Sequence, residues 1–549
     1  MAKPWGLLAG LCLGLYVGAG AGVMGAGAGA QAPAASGGPT KSCTVNNAAP
    51  SAAETALNRG DVSKAEGMLR DDLAKNPGNE AEHEALVRAE IDQDKVDAAA
   101  QDAEAWAGAA PASAMAKVAL GEVRYRQGEM HDALAEFQKA AALDPCTARA
   151  YFGMAMVEDL AGFFASGRRN IERAYALHPT DDDIHVTWMS TRSRKEWLEL
   201  RAEYLDKSDQ VSDENREKMK AALAKAAQNH ATDCRMAPGS PRTAEVSMVK
   251  ATYDTTRPRP WGLDVEFNGK KRRLELDTGA SGITISRAAA MFLGIDRQDE
   301  AKAGGIGDSK LVRTSIAHVA SVKIGGIEFQ NCSVEILEKW SVLDSDGLIG
   351  GDVFRNSVLT LDFPKGQLKI EPLPARPQES EEEREKREEQ EDAPPPVYDP
   401  YVAPEMANWQ RVYRSGHELL MPTGIVETKR ASDSLAWKEK LFLLDTGSES
   451  NLISPASARE VTKIARTGMV GITGLQGEVA KVYDAGKFTL VFAKLRLDSP
   501  SMTGIDLTGI SHDAGVEVSG VIGQPTLYQL VLHIDYRDNL VWCEHAQKK

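Results

Sequence analysis

The spacing of apolar residues changes character once along this chain. From about residue 46 to residue 229 the pattern is that of amphipathic helices, as in "AMAKVALGEVRYRQGEMHDALAEFQKAAALDP" (114–145), "RKEWLELRAEYLDK" (194–207) and "DENREKMKAALAKAAQN" (213–229). Beyond about residue 245 it gives way to short strand-like runs separated by Gly, Asn and Asp turns. Prolines punctuate the helical region at Pro77, Pro111, Pro145 and Pro179, each 34 residues after the last (111 − 77, 145 − 111, 179 − 145). A fixed period of that length predicts stacked helical pairs, none of which buries its apolar face without a neighbour.

The clearest repeat is 114–145. Gly121 and Ala133 let two helices approach, Phe137 fills the space between them, Leu120 and Ala140 pack beside it, and Pro145 ends the second helix. Residues 146–179 are a looser copy carrying Tyr151, Ala174 and Pro179, and 46–77 and 80–111 are looser again. These residues resemble tetratricopeptide (TPR) repeats over about 46–179, and helical patterning extends the region to residue 235 as capping helices. The resemblance implies a surface for holding a peptide or protein partner. A spacer, or a stabilising cap for the strand-rich region, fits the same residues, because repeat arrays carry no chemistry of their own.

Within the strand-rich region a short phrase is written twice: "LELDTGAS" at 274–281 and "LFLLDTGSES" at 441–450, with Asp277 and Asp445 168 positions apart (445 − 277). The segments downstream of the two copies also match. "GITIS" and the helix-like "RAAAMFLGI" correspond to "SNLIS" and "PASAREVTKI". Gly305 lies 28 residues past the first Asp (305 − 277) and Gly474 lies 29 past the second (474 − 445), each in a Gly-rich hairpin. "IGGDVFRNSVLTLDF" then lies over "IGQPTLYQLVLHIDY" without a gap, so Asp362 matches Asp535. This is an internal duplication of a β unit of roughly 120 residues.

Composition adjusts the picture in three places. Of the formal charge of −15, the run 379–392 alone contributes −6 from nine acidic and three basic residues; an acidic chain is a poor partner for nucleic acid or anionic membrane. That run and the prolines after it predict a solvated spacer over 373–404 between the two β units, placed at 250–372 and 405–547. At the N-terminus Lys3, an apolar stretch and Ala28-Gly29-Ala30 read as an export signal over 1–30, which predicts a periplasmic or secreted protein with no stable membrane span after cleavage. Five cysteines then remain, Cys43, Cys146, Cys234, Cys332 and Cys543, with no C-x-x-C spacing; an exported protein can join some of them, in a connectivity the spacing leaves open. Other motifs are incomplete. "HELLM" at 417 lacks the second His of a zinc helix, "GITGLQG" lacks the Lys-Ser/Thr of a phosphate loop, and no G-x-S-x-G is present.

Taken together, the paired Asp-Thr-Gly strands, Gly-tipped hairpins and apolar-apolar-Gly segments resemble the two lobes of aspartic peptidases, in the retropepsin-like style of small lobes. The resemblance covers about 255–372 and 412–545. It implies a multidomain chain, a TPR-like solenoid followed by two all-β lobes forming a pepsin-like pseudo-dimer, that hydrolyses a polypeptide substrate without cofactor or metal. Two carboxylates are needed because one acid does not both activate water and protonate an amide; two that share a proton divide the task. The implied catalytic pair is Asp277 and Asp445. Thr278 and Thr446 would bond across the lobe interface, Gly279 and Gly447 would permit the turn, and the Ser448 hydroxyl would hydrogen-bond its carboxylate. Gly304, Gly305, Gly307, Gly474 and Gly477 are candidate flap tips, and Gly350 and Gly523 would brace the active loops from behind. Two issues stay open at this level: whether the dyad closes within one chain or between two, and whether the unit is instead an inactive or self-processing peptide-binding scaffold.

Overall fold

The computed structural model of the chain describes residues 42–228, 234–251, 260–297, 299–303, 312–338, 345–377, 398–430, 437–466, 472–474, 477–479, 481–498 and 502–545. The export signal expected over 1–30, most of the linker, and Gly304, Gly305 and Gly307 lie outside them. The described residues form two compact units, the first up to residue 228 with 375–377 and 398–399, the second from 234–374 and 400–545.

The first unit is built of α1 (Ala52–Asn58), α2 (Val62–Lys75), α3 (Glu80–Ile91), α4 (Val96–Ala109), α5 (Ala114–Arg126), α6 (Met130–Leu143), α7 (Ala148–Leu160), α8 (Phe164–Leu177), α9 (Asp182–Ser190), α10 (Arg194–Lys207) and α11 (Asp213–Gln228). Helix starts repeat the proline period: 80, 114, 148 and 182 for one set and 62, 96, 130 and 164 for the other. A second marker of the period lies in the tight turns within the pairs, where Gly60, Asp94, Gly128 and Gly162 all have positive φ (86°, 57°, 77° and 82°). Glycine enters that region without a side-chain penalty, and Asp tolerates it better than most residues. Packing between pairs depends on Phe137, which is 1% exposed. A Cβ on Gly121 would lie 2.5 Å from its ring and one on Gly153 would lie 2.3 Å from it, so both glycines are required by the close approach of three helices.

A piece of the spacer expected over 373–404 is held in place. Phe163, at the N-cap of α8, has no capping side chain. Asp399 supplies one from 233 residues away, accepting from the Ser166 amide at 3.0 Å and its hydroxyl at 3.1 Å. A carboxylate at a helix N-terminus satisfies orphan N–H groups and complements the helix dipole.

The second unit carries a nine-stranded sheet from the first copy of the duplicated β unit and a ten-stranded sheet from the second, as the described residues show them. It begins earlier than residue 250 and takes in residues assigned to the helical region up to 235. Arg235–Met236 pairs with Ile327–Leu337, Ala244–Ser247 pairs with Gln367–Pro372, and Cys234 is bonded to Cys332. These opening strands have two to four residues, too few to show a period. Among the described residues Cys43–Cys146 is the other disulfide, within the helical unit, and Cys543 is free and buried.

A six-stranded sheet joins the two copies, with Ser357–Asp362 antiparallel to Leu530–Asp535 at its centre. Its register is symmetric: Thr360 faces His533, Val358 faces Asp535 and Asp362 faces Val531. Thr360 and His533 are also partners in the sequence duplication, each ten residues past its glycine (360 − 350, 533 − 523). The register of the two strands is therefore centred on that pair. One apolar core cluster, containing Leu276, Ile349, Phe354, Phe442, Leu444 and Ile522, runs through both copies.

Candidate active site

Each Asp sits at the end of a buried strand. Lys270–Asp277 places Leu274 and Leu276 in the core, so the alternation of the strand turns Glu275 and Asp277 to the opposite face. Lys438–Leu444 does the same for Asp445. A short parallel strand braces each from behind: Gly347–Gly350 along Leu274–Asp277, and Gly520–Ile522 along Phe442–Leu444. The bracing glycines are packed against the active turns. A Cβ on Gly350 would lie 2.4 Å from the Ala280 carbonyl oxygen, and one on Gly523 2.4 Å from that of Ser450.

The two turns are clamped to each other by four hydrogen bonds. The Thr278 amide donates to Thr446 Oγ1 at 3.0 Å and the Thr446 amide to Thr278 Oγ1 at 3.1 Å. Thr278 Oγ1 donates to the Leu444 carbonyl at 2.7 Å, and Thr446 Oγ1 to that of Leu276 at 2.8 Å. Both threonines are buried and each hydroxyl both donates and accepts, so neither turn moves without stranding a partner. The arrangement joins residues of one chain.

This clamp brings the carboxyl groups together. Gly279 N–H donates to Asp277 Oδ1 and Gly447 N–H to Asp445 Oδ1, both at 2.8 Å. Neither glycine has a positive φ. Both are demanded by space rather than by the turn: a Cβ on Gly447 would meet the Asp277 carboxyl at 2.4–2.6 Å, and one on Gly279 the Asp445 carboxyl at 2.8–3.0 Å. Ser448 differs from expectation. Its hydroxyl donates to the Ser450 carbonyl at 2.8 Å, and it is the backbone N–H that reaches Asp445 Oδ1, at 3.0 Å. The turn after Asp445 folds Ser450 back within reach, and a carbonyl accepts the hydroxyl.

Burial, and then the facing Asp445 carboxylate, push Asp277 well above the usual carboxylate range. Asp445 is raised by burial, against which the hydrogen bond with Asp277 and the N–H groups of Gly447 and Ser448 favour its ionised form. Asp445 Oδ1 accepts two backbone N–H bonds and Asp277 Oδ1 one, and the two carboxyl groups titrate as a pair.

Several neighbours were not singled out by the sequence. His417, from the incomplete "HELLM" motif, lies 3.1 Å from the Gly279 carbonyl through Nε2; only the N–H tautomer at that atom makes the bond. Gln524 Nε2 donates to the Thr446 carbonyl at 3.1 Å, and Tyr528 OH donates to the same oxygen at 3.2 Å while accepting from the Trp261 amide. Glu275 is 1% exposed with Oε2 unpartnered, and burial first, then Asp277 and Asp445, push its carboxyl well up. Gln524 and Tyr528 follow a brace glycine, and Glu275 sits two positions before its Asp, the only available signals. Of the flap candidates, Gly474 and Gly477 pair in a two-stranded hairpin.

Residues 263–353 match the family model described as aspartyl protease. The chain is also similar to DNA damage-inducible protein 1 of Neurospora crassa, 34% identical over 113 residues, which are 20% of this chain and 24% of that protein. The chain thus spans about a quarter of the length of the curated relative it matches. These likenesses support a peptidase-type hydrolase for the first β unit.

Proposed function

We propose that the second unit is an aspartic endopeptidase whose dyad, Asp277 and Asp445, is completed within one chain by two pseudo-dimeric, retropepsin-like lobes. The observation that carries this reading is the reciprocal clamp of Thr278 and Thr446, which holds the carboxyl groups of the buried Asp445 and the half-buried Asp277 beside each other. In the reaction Asp445 takes a proton from a water as its oxygen attacks the scissile carbonyl carbon. Asp277 gives its proton to the carbonyl oxygen; the resulting gem-diol then collapses as the amide nitrogen receives the proton held by Asp445, the C–N bond breaks and one hydroxyl returns its proton to Asp277, which restores the dyad. The Gly474–Gly477 hairpin, with Gly304, Gly305 and Gly307, would close over the bound chain.

We assign the helical unit, as a TPR-like array, to binding of the substrate or a protein partner. Export to the periplasm or outside the cell belongs to the same proposal. The two disulfides, Cys43–Cys146 and Cys234–Cys332, support it, since such bonds persist in oxidising compartments. No helix of the described residues is long and apolar enough to cross a membrane.

The test is cleavage of a mixed peptide library by the full chain from pH 3 to 7, read by mass spectrometry, beside Asp277→Asn and Asp445→Asn. Cleavage by the wild type that either substitution abolishes is the expected result. Three proteins with the same cleavage pattern, or none at all, would overturn the assignment.

A further inference from the structure

The helical unit holds a small cavity where α3, α5, α7 and α9 meet, with a volume of about 30 Å³. The 34-residue period builds its walls, because Arg88, Glu122 and Met156 are equivalent positions of successive repeats (122 − 88, 156 − 122). Phe137 and Phe152 add apolar wall, and Arg149 and Asp183 complete the polar side.

The charges are unequal. Arg149 donates to Asp181 at 2.8 and 3.1 Å, to Asp183 at 2.8 Å and to Glu122 Oε1 at 3.2 Å, and lies 3.3 Å from Glu84. Arg88 donates to Glu84 at 2.7 and 3.2 Å and to Asp183 at 3.4 Å. Both guanidinium groups are thus engaged through all three nitrogens. Against their two positive charges stand five carboxyl groups, Glu54, Glu84, Glu122, Asp181 and Asp183. Glu122 is 8% exposed, lines the cavity and leaves Oε2 without a hydrogen-bond partner. A buried carboxyl oxygen in that position calls for a partner, and with Glu122 neutral the remaining carboxylates still outnumber the two guanidinium groups, which favours a cationic donor.

We propose that this cavity is a binding site for a primary ammonium group, the side chain of a lysine in an extended polypeptide. The size fits. A water needs about 10–15 Å³ of such space, so the cavity has room for an ammonium head. The lysine stem packs on Phe152 and Met156 while the head donates to Glu122 Oε2. An anionic ligand is disfavoured because the arginines already face an excess of carboxyl groups.

Occupancy is linked to a proton. In the empty site burial first, and then Glu84, raise Glu122 well above the usual carboxylate range, while Arg149 and Arg88 oppose that shift. The other groups facing it are Asp92 just after α3, Tyr125 of α5, and Asp181 and Asp183 at the start of α9. An arriving ammonium favours the ionised carboxylate and displaces its proton, so binding tightens as pH rises through the Glu122 titration and releases a proton.

The test uses the full chain carrying Asp277→Asn and Asp445→Asn, which keeps it independent of whether the lobes cleave peptides. The probe is the peptide acetyl-Ala-Ala-Lys-Ala-Ala-amide, measured by calorimetry in two buffers of different ionisation heat. It is compared with norleucine, Nε-acetyl-lysine and arginine versions. The lysine peptide should bind at least tenfold more tightly than the other three, with proton release at neutral pH, and Glu122→Gln should remove that margin. Equal binding of the lysine and norleucine peptides, or an unchanged margin in Glu122→Gln, overturns the proposal and leaves a site for water. Should Glu122→Gln fail to fold, Met156→Lys decides, because an ammonium supplied from the wall must abolish probe binding; unaltered binding there also overturns it.

Discussion

Substituting Gly447 by alanine tests how closely the two halves of the site depend on each other. The added Cβ would lie 2.4 Å from Cγ of Asp277, and ordinary contact starts at 3.4 Å, so about 1.0 Å must be found (3.4 − 2.4). The backbone at 447 has little freedom to supply it. Its N–H is bonded to Asp445 at 2.8 Å, its carbonyl accepts from Gln524 at 3.3 Å, and Thr446 beside it is held by the clamp. The Asp277 carboxyl must therefore move or rotate. Misplacing a catalytic group by about 1 Å costs on the order of 10²-fold in rate, or about 2.7 kcal/mol of transition-state stabilisation. Gly279→Ala is the built-in comparison. Its Cβ would approach Asp445 at 2.8 Å, a deficit of 0.6 Å (3.4 − 2.8), which should cost about tenfold. The assay is kcat/KM on the peptide that the wild type cuts best, with urea unfolding alongside to register an overpacking cost of about 1–3 kcal/mol. A folded Gly447→Ala within threefold of wild type, or a Gly279→Ala that loses more, would refute the reasoning.

Two further outcomes concern the buried clamp and the half-buried Glu418 near Asp445. Thr278→Val keeps the shape but strands the Leu444 carbonyl and the Thr446 amide, so urea denaturation should show a loss of about 2–4 kcal/mol, matched by Thr446→Val; a loss under about 0.5 kcal/mol would mean the clamp is not what joins the turns. Burial, with Asp513 and Asp445, pushes Glu418 up to about 8, so the folded state favours its neutral form. Its contribution is complete below the unfolded value of about 4.3 and is lost as pH rises through about 8, at up to about 1.4 kcal/mol per unit; Glu418→Gln should flatten urea midpoints measured from pH 5 to 8, and an unchanged slope would count against it.

Features that depend on local spacing were legible in the chain before any folding was considered. The 34-residue proline period set the starts of the paired helices, because a helix has to end and restart at a fixed interval for the pairs to stack. The duplicated Asp-Thr-Gly segments set the two strand ends and the candidate carboxyl groups, because alternation along a buried strand leaves Asp277 facing away from the core. What those elements meet was settled only when they packed. That Gly279 and Gly447 are required by the opposing carboxyl, that the Ser448 hydroxyl turns to Ser450, and that Asp399 caps a helix 233 residues earlier are outcomes of how segments come to lie against one another. The same holds for Cys43 finding Cys146, and for Glu122 being left with one oxygen unpaired among charges drawn from several helices. Hydrophobic periodicity reports which face of an element is buried. It carries no information about which distant polar atom lies against that face, because that is fixed by the packing of whole elements.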